Sequence, residues 1–378
     1  MKKTILFLIL FSAALNIFSA DLSVPEMEVI TRADFSESLP IITSRGKVIL
    51  DLKGGYKLGG KLSLGFDSAD LSYSSETASN NSATIADLAS YIDNQTFLSF
   101  QSAQIILRDV ISAGTSLTYF IGKSETFCSG DDFPRIFGTY PIATRYRGYL
   151  YFPENEFDGL YTVNGTGIKM ESSWGDGSYL ASGYLYKDGY LTDVFSSDFR
   201  VLFNFPHLKL ETFAGATFPT GTYGLYRGGF LLNYRAGETG EFMAQIGVPV
   251  WEPDKTFDID RLFFLFEPRI NFNLVSIILT LFWQPGYYEQ EQLATAGSSN
   301  VHLNFMLGNL EKSPLAGGIE SSVTFDLTNS TNQFTYVLTP YISAITSGVL
   351  WNFMVNINLF PFTPANMFEG VIGIKAEF

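Results

Sequence analysis

The chain has 378 residues, with 24 basic side chains against 38 acidic ones, a net charge of −14 that argues against general nucleic-acid binding. Only 16% of residues are charged, against roughly 25% in ordinary soluble proteins, while 16% are aromatic and Phe alone occurs 35 times, which excludes a disordered chain. A membrane helix needs about 20 consecutive apolar residues, and beyond the N-terminus the most apolar stretch, Leu274 to Trp283, is roughly half that, which excludes helical spanning.

Lys2 and Lys3 precede an apolar run from Ile5 to Phe18, the pattern of an export signal over residues 1–20 with a cut near the small Ala20. Its removal leaves 22 basic residues against 38 acidic ones, a charge of −16. Cys128 is the only cysteine, so there is no internal disulfide, and no cysteine follows the apolar run where a lipid anchor would attach. Residues 21–45 read as an N-terminal periplasmic lead or plug segment. The stretch 46–66, despite Gly54 and Gly55, reads as one long or broken first strand. Residues 67–96, rich in Ser, Asn, Thr and Ala, read as an outward loop with a short helix from Ala83 to Ile92.

From there on the informative feature is a period of two. Phe199, Val201, Phe203 and Phe205 alternate with Asp198, Arg200 and Asn204. After a tight turn at Pro206 and His207, Leu208, Leu210, Ala214, Ala216 and Phe218 alternate with Lys209, Glu211 and Thr217. The pattern returns in Tyr226 to Tyr234 against Arg227, Asn233 and Arg235, in Phe242 to Val248 against Glu241 and Gln245, and in segments near 301–307, 319–327 and 349–359. A soluble β-sandwich also alternates, but its solvent face usually carries many Lys and Glu. Here the polar face is mainly Asn, Ser, Thr, Gln and Gly, which suits a barrel that is apolar outside and polar within.

In hydrocarbon an unpaired backbone group costs several kcal/mol, so such strands must close on themselves, and a single-chain bacterial barrel has an even strand count. Short periplasmic turns should alternate with longer outward loops. Counting back from Phe378, and treating 123–157 as one long outward loop, the alternation predicts about sixteen strands, with 14 or 18 as alternatives. They lie near 46–66, 97–108, 113–122, 158–173, 177–187, 198–205, 207–218, 225–236, 240–250, 262–272, 274–284, 300–308, 315–327, 333–343, 349–359 and 367–378. The fold class is therefore all-β, a transmembrane antiparallel up-and-down β-barrel.

The C-terminus carries Phe378, with Ala376, Gly373 and the alternating Phe368, Ile372 and Ile374 before it. This resembles the signal that bacterial outer-membrane barrels present to the barrel-assembly machinery, although Val371 stands where that pattern prefers a polar residue. The architecture of residues 46–378 resembles the outer-membrane porin class, with no subfamily distinguished. The resemblance implies the bacterial outer membrane, its lipid as surroundings, small solutes as cargo and a homo-oligomer as a possible state.

Porins resemble one another in folding a long loop into the lumen as a constriction. The candidate here is 123–157, carrying Asp131, Asp132, Arg135, Arg145 and Arg147. Wall residues expected to point inward include Lys169, Glu171, Arg200, Lys209, Glu211, Arg227, Arg235, Glu267 and Arg269. Charged rings tune ion selectivity, and two readings stay open for Arg200, Lys209, Arg227 and Arg235: a basic stripe that guides anions, or paired charges that stabilise the wall. His207 and His302 are expected to be solvated lumen side chains, since a metal site would need further ligands. Gly55 to Lys61 spells G-x-x-x-x-G-K, but Leu62 replaces the magnesium-holding Ser or Thr and the context is a strand, so it is a coincidence. Tyr119, Tyr226, Tyr234, Trp283 and Trp351 fall on the lipid side.

The leading expectation is thus a passive channel for small hydrophilic solutes or ions, with no catalysis and no cofactor. The alternatives are an occluded transporter of apolar solutes, with Phe213, Phe263 and Leu265 along a greasy route, and an adhesive or structural surface barrel. No Ser/His/acid set assembles from the residues, which leaves a hydrolase without machinery.

Overall fold

A computed structural model describes residues 20–35, 41–68, 71–73, 96–129, 146–147, 150–151, 159–218, 223–237, 239–254, 256–257, 261–284, 298–308, 310, 313–326 and 334–376. Eighteen long strands form its wall. They are β1 (20–34), β2 (41–54), β3 (58–68), β4 (96–108), β5 (115–127), β6 (161–174), β7 (179–188), β8 (195–204) and β9 (208–218). The second half holds β10 (225–236), β11 (240–251), β12 (263–271), β13 (275–284), β14 (298–307), β15 (315–326), β16 (334–346), β17 (349–360) and β18 (368–376). A short continuation at 71–73 pairs with β2, and 146–147 pairs with 150–151.

Each long strand is antiparallel to its sequence neighbours, and the ends meet: β1 pairs with β2 along one edge (Thr31 with Ser44) and with β18 along the other (Thr31 with Ile372). The sheet is therefore a closed all-β barrel. The turns at the end where β1 begins and β18 finishes are short, as at 205–207 and 347–348, and the longer connections lie at the opposite end, as the alternation rule demands.

Eighteen is the upper of the alternatives that the sequence left beside sixteen, and both added strands lie at the N-terminus. Residues 21–45, expected as a lead or plug, supply β1 and the start of β2. In the wall, β1 is needed to satisfy the edges of both β2 and β18. The segment 46–66 is not one strand. A turn at Gly55 breaks it, with φ +87°, where an added Cβ would lie 2.0 Å from the Leu58 carbonyl oxygen. The helix expected at Ala83 to Ile92 lies outside the described residues, as does residues 1–19 of the expected export signal.

Side chains alternate as the period predicts. Tyr119, Tyr226, Tyr234, Trp283 and Trp351 all stand on the outer face, with Ile168, Phe199, Phe230, Ile246, Leu303 and Phe353 in the same apolar band. The inner face of β13–β17 is mostly neutral and polar: Ser276, Thr280, Asn300, His302, Asn304, Ser343 and Asn352 are buried there. The exterior is greasy because the interior holds the polar groups, the reverse of a soluble core.

Candidate functional site

The wall from β5 to β12 carries several charge pairs deep in the barrel, and a β-bulge in β5 sets up the first group of them. Register with β6 runs Lys123 to Asn164 and then Glu125 to Val163, so Ser124 is extra. Before it the inward residues are Thr118 and Phe120; after it they are Glu125 and Phe127. One inserted residue reverses which side of the strand faces inward. Glu125 thereby accepts hydrogen bonds from Lys169 Nζ at 2.9 Å, from Arg200 Nη1 and from the Tyr184 hydroxyl. Lys169 also pairs with Glu171 at 2.6 Å, and Arg200 Nε donates to Glu211 Oε1 at 2.7 Å.

A second group lies one ladder step nearer the long-loop end. Arg227 holds Asp198 in a two-point clasp, Nε to Oδ1 at 2.6 Å and Nη2 to Oδ2 at 2.7 Å. Its guanidinium sits 4.0 Å over the Tyr161 ring, and Nη1 reaches Thr217 at 2.7 Å. Tyr186 donates to Asp198 at 2.8 Å. Farther round, Arg269 pairs with Glu267 at 2.5 Å, and Thr280 donates to the same carboxylate at 2.6 Å.

The chain leaving β5 does not continue outward along the wall. The backbone N–H of Cys128 donates to Glu211 Oε1 at 2.8 Å, and Gln245 Nε2 donates to the Cys128 carbonyl at 2.5 Å. Glu211 is on β9, four strands from β5, which at about 4.8 Å per strand is roughly 19 Å along the wall. Contact at hydrogen-bond distance means that the paired ends of β5 and β6, Glu125–Phe127 with Tyr161–Val163, which have no ladder partner on β7, bend inward together over the inner faces of β7 and β8 and carry Cys128 to the wall at β9 and β11. The returning end is alongside: Leu160 N–H donates to the Phe127 carbonyl at 2.9 Å. Phe127 packs on Phe213 with ring centroids 4.9 Å apart, and Cys128 and Leu160 are buried among Phe213, Leu231, Met243, Phe263 and Leu265. Burial, and then the neighbouring Glu211 carboxylate, pushes the Cys128 thiol well above its usual range.

Among the residues named from sequence, Arg200 and Arg227 lie in adjacent groups, Arg200 buried against Glu125 and Glu211 and Arg227 against Asp198. Lys209 and Arg235 also face inward, half-buried and nearer the terminal end, with Arg235 opposite Glu241 in the ladder. Asp131, Asp132, Arg135 and Arg145 lie outside the described residues, and of Arg147 only the backbone pairing with Leu150 is described. Gly373 and Ala376 belong to β18, while Phe378 lies outside the described residues. The histidines depart from expectation. His207 is exposed in the β8–β9 turn, and His302 is buried with Nδ1 3.0 Å from Glu320. Among the described residues no cluster of His, Cys, Asp or Glu could hold a metal ion. Phe213, Phe263 and Leu265 point inward as expected, but they pack beneath the crossing segment.

The sequence places Asp198 and Gln245 on the polar faces of their strands but assigns them no role, and it does not single out Glu125, Leu160 or the tyrosines 161, 184 and 186. The bulge that turns Glu125 inward leaves no period-two signature, and the others matter through cross-strand partners that only register reveals. No protein-family model and no curated protein matches the chain. Solved structures similar in fold include a mutant of Rhodopseudomonas blastica porin (9% identity, TM-score 0.48, covering 95% of this chain and 100% of that one). A Salmonella typhi OmpF complex with daunomycin (9%, 0.49, covering 96% and 99%) and Pseudomonas putida OprB at low pH (8%, 0.45, covering 97% and 95%) are also similar.

Proposed function

We propose that this chain is a bacterial outer-membrane channel through which small hydrophilic solutes or ions diffuse passively, with the segment near 123–157 as its constriction. The carrying observation is the inward bend of the paired ends of β5 and β6, which brings the Cys128 backbone into hydrogen bonds with Glu211 and Gln245 across the interior. The wall supports a bilayer setting: eleven residues in β9, at about 3.4 Å each and tilted about 45°, span roughly 25 Å, the height of the apolar band in such barrels. The outer side chains are those that lipid tails accept. In this reading residues 1–20 direct export, and Gly373, Ala376 and Phe378 engage the assembly machinery.

The pairing of Arg200 with Glu125 and Glu211, and of Arg227 with Asp198, supports wall-stabilising charges over an anion-guiding stripe. Liposomes containing the refolded protein are expected to swell with small sugars and less with larger ones. Reversal potentials in a salt gradient are expected close to zero. Absence of swelling at every sugar size overturns the channel, and a large anionic reversal potential restores the stripe.

One observation favours an apolar cargo instead. Ile30, Met306, Tyr341, Met354 and Val371 form a second buried apolar cluster on the inner face of β1 and β14–β18. Fatty-chain uptake without sugar-driven swelling is the outcome that selects this reading.

A further inference from the structure

The ladder across β9 to β12 places Phe213, Gly229, Gly247 and Phe263 in one row, all on the inner face. Two paired glycines thus stand between two phenylalanines, in a wall where neighbouring inward positions carry large side chains. Glycine in a strand interior weakens the strand unless something approaches closely. Here Leu160 does. A Cβ built on Gly229 would lie 2.6 Å from Leu160 Cδ1, and one on Gly247 would lie 2.7 Å from the same atom. The next row towards the terminal end reads Glu211, Leu231, Gln245, Leu265 and Phe282, and its two polar members hold the N–H and carbonyl of Cys128.

We propose that this double row is a dedicated docking slot for the crossing segment: the Gly229–Gly247 notch receives Leu160 as a knob, Glu211 and Gln245 clamp the Cys128 backbone, and together they position the constriction. The inference rests on the segment being the constriction, and it adds the residues that hold it in place. They act on permeation through the loop and need not touch the solute. The device accounts for glycine at both positions: a Cβ there meets Leu160 in each case, together with Phe213 Cε1 at 2.6 Å from Gly229 and the Gly228 carbonyl oxygen at 2.9 Å from Gly247, and lifting Leu160 would, through its bond to Phe127, move both ends of the loop at once.

Cys128 is the only cysteine of the chain and is buried in the clamp, so it reports on docking independently of conduction. The test is the rate of maleimide labelling of the full chain refolded in detergent, with folding checked by its retarded migration on unheated gels. Wild type is expected to label slowly. Leu160→Ala, whose wall is native, is expected to label about tenfold faster or more, since losing a buried leucine's packing raises the open population on that scale. Gly247→Val, a substitution that suits a strand, is expected to do the same. The double variant is expected to label no faster than the faster single one, because both remove one contact.

An unchanged rate in Leu160→Ala overturns the slot whatever Gly247→Val does, including a failure of the latter to fold. A double-variant increase equal to the product of the single increases overturns the coupling of knob and notch. Single-channel conductance of the same variants is expected to differ from wild type. If wild type does not conduct, the constriction reading fails, while labelling still decides whether the slot docks the segment.

Discussion

Arg227 and Asp198 show how much rides on single side chains in the barrel interior. Their side chains are 3% and 0% exposed, so each charge depends on the other for solvation. Arg227→Met is expected to destabilise the barrel by about 3–5 kcal/mol, because it strands a buried carboxylate. The Arg227→Met, Asp198→Asn pair is expected to cost much less than the sum of its singles. Urea titrations in detergent micelles, followed by tryptophan fluorescence, measure both. That Arg227 and Arg200 face inward was legible from alternation, but their partners were not. Asp198 and Arg227 are 29 positions apart, and the strand register that joins them is set by turn lengths and a bulge. The notch was half visible: Gly228, Gly229 and Gly247 interrupt strands otherwise rich in large residues, a mark of close approach that says nothing about what approaches.

Individual strands carry the division between the apolar outer face and the lumen. Along β11, Phe242, Ala244, Ile246 and Val248 lie outside, and Glu241, Met243, Gln245 and Gly247 lie inside. Ile246→Arg, a charge on the outer face far from either strand end, is expected to cost about 2–4 kcal/mol in folding into lipid vesicles, and the same change at Tyr234, near the terminal end of β10, roughly 0–1 kcal/mol. Equal costs at the two positions would place the bilayer differently. Elements from residue 97 onward were read correctly in number and direction, because their hydrophobic alternation is strong and their turns are short. β5 was read as ending at 122 and in fact continues to Phe127, because the bulge at Ser124 breaks the alternation that would have extended it.

For the whole molecule, closure is the controlling event, and β1 supplies it. Removal of residues 20–40 would leave the edges of β2 and β18 without partners along their length. Such a chain is expected not to form the compact species in unheated gels, in detergent or in lipid. A truncated chain that still folded as a compact barrel would mean that β2 and β18 can pair directly. The same demand explains the count of eighteen. β1 contains Glu26, Glu28, Arg32 and Asp34, and this charge density reads locally as a tail. In the barrel those residues face inward, Arg32 within 4.0 Å of Glu369 and Glu26 within 3.4 Å of Lys47.

Composition and alternation by themselves determined an antiparallel barrel with a greasy outside, the direction of most strands and the place of the long loop. These depend only on which residues tolerate lipid and on a local period of two. The tertiary structure alone decided that β1 belongs to the wall, that Arg200 and Arg227 in the β5–β12 wall are each held against acids, and that the loop's two ends meet over a glycine notch on β10 and β11. Those outcomes depend on register across many strands and on a single inserted residue, and backbone pairing between distant segments leaves no mark on local hydrophobicity.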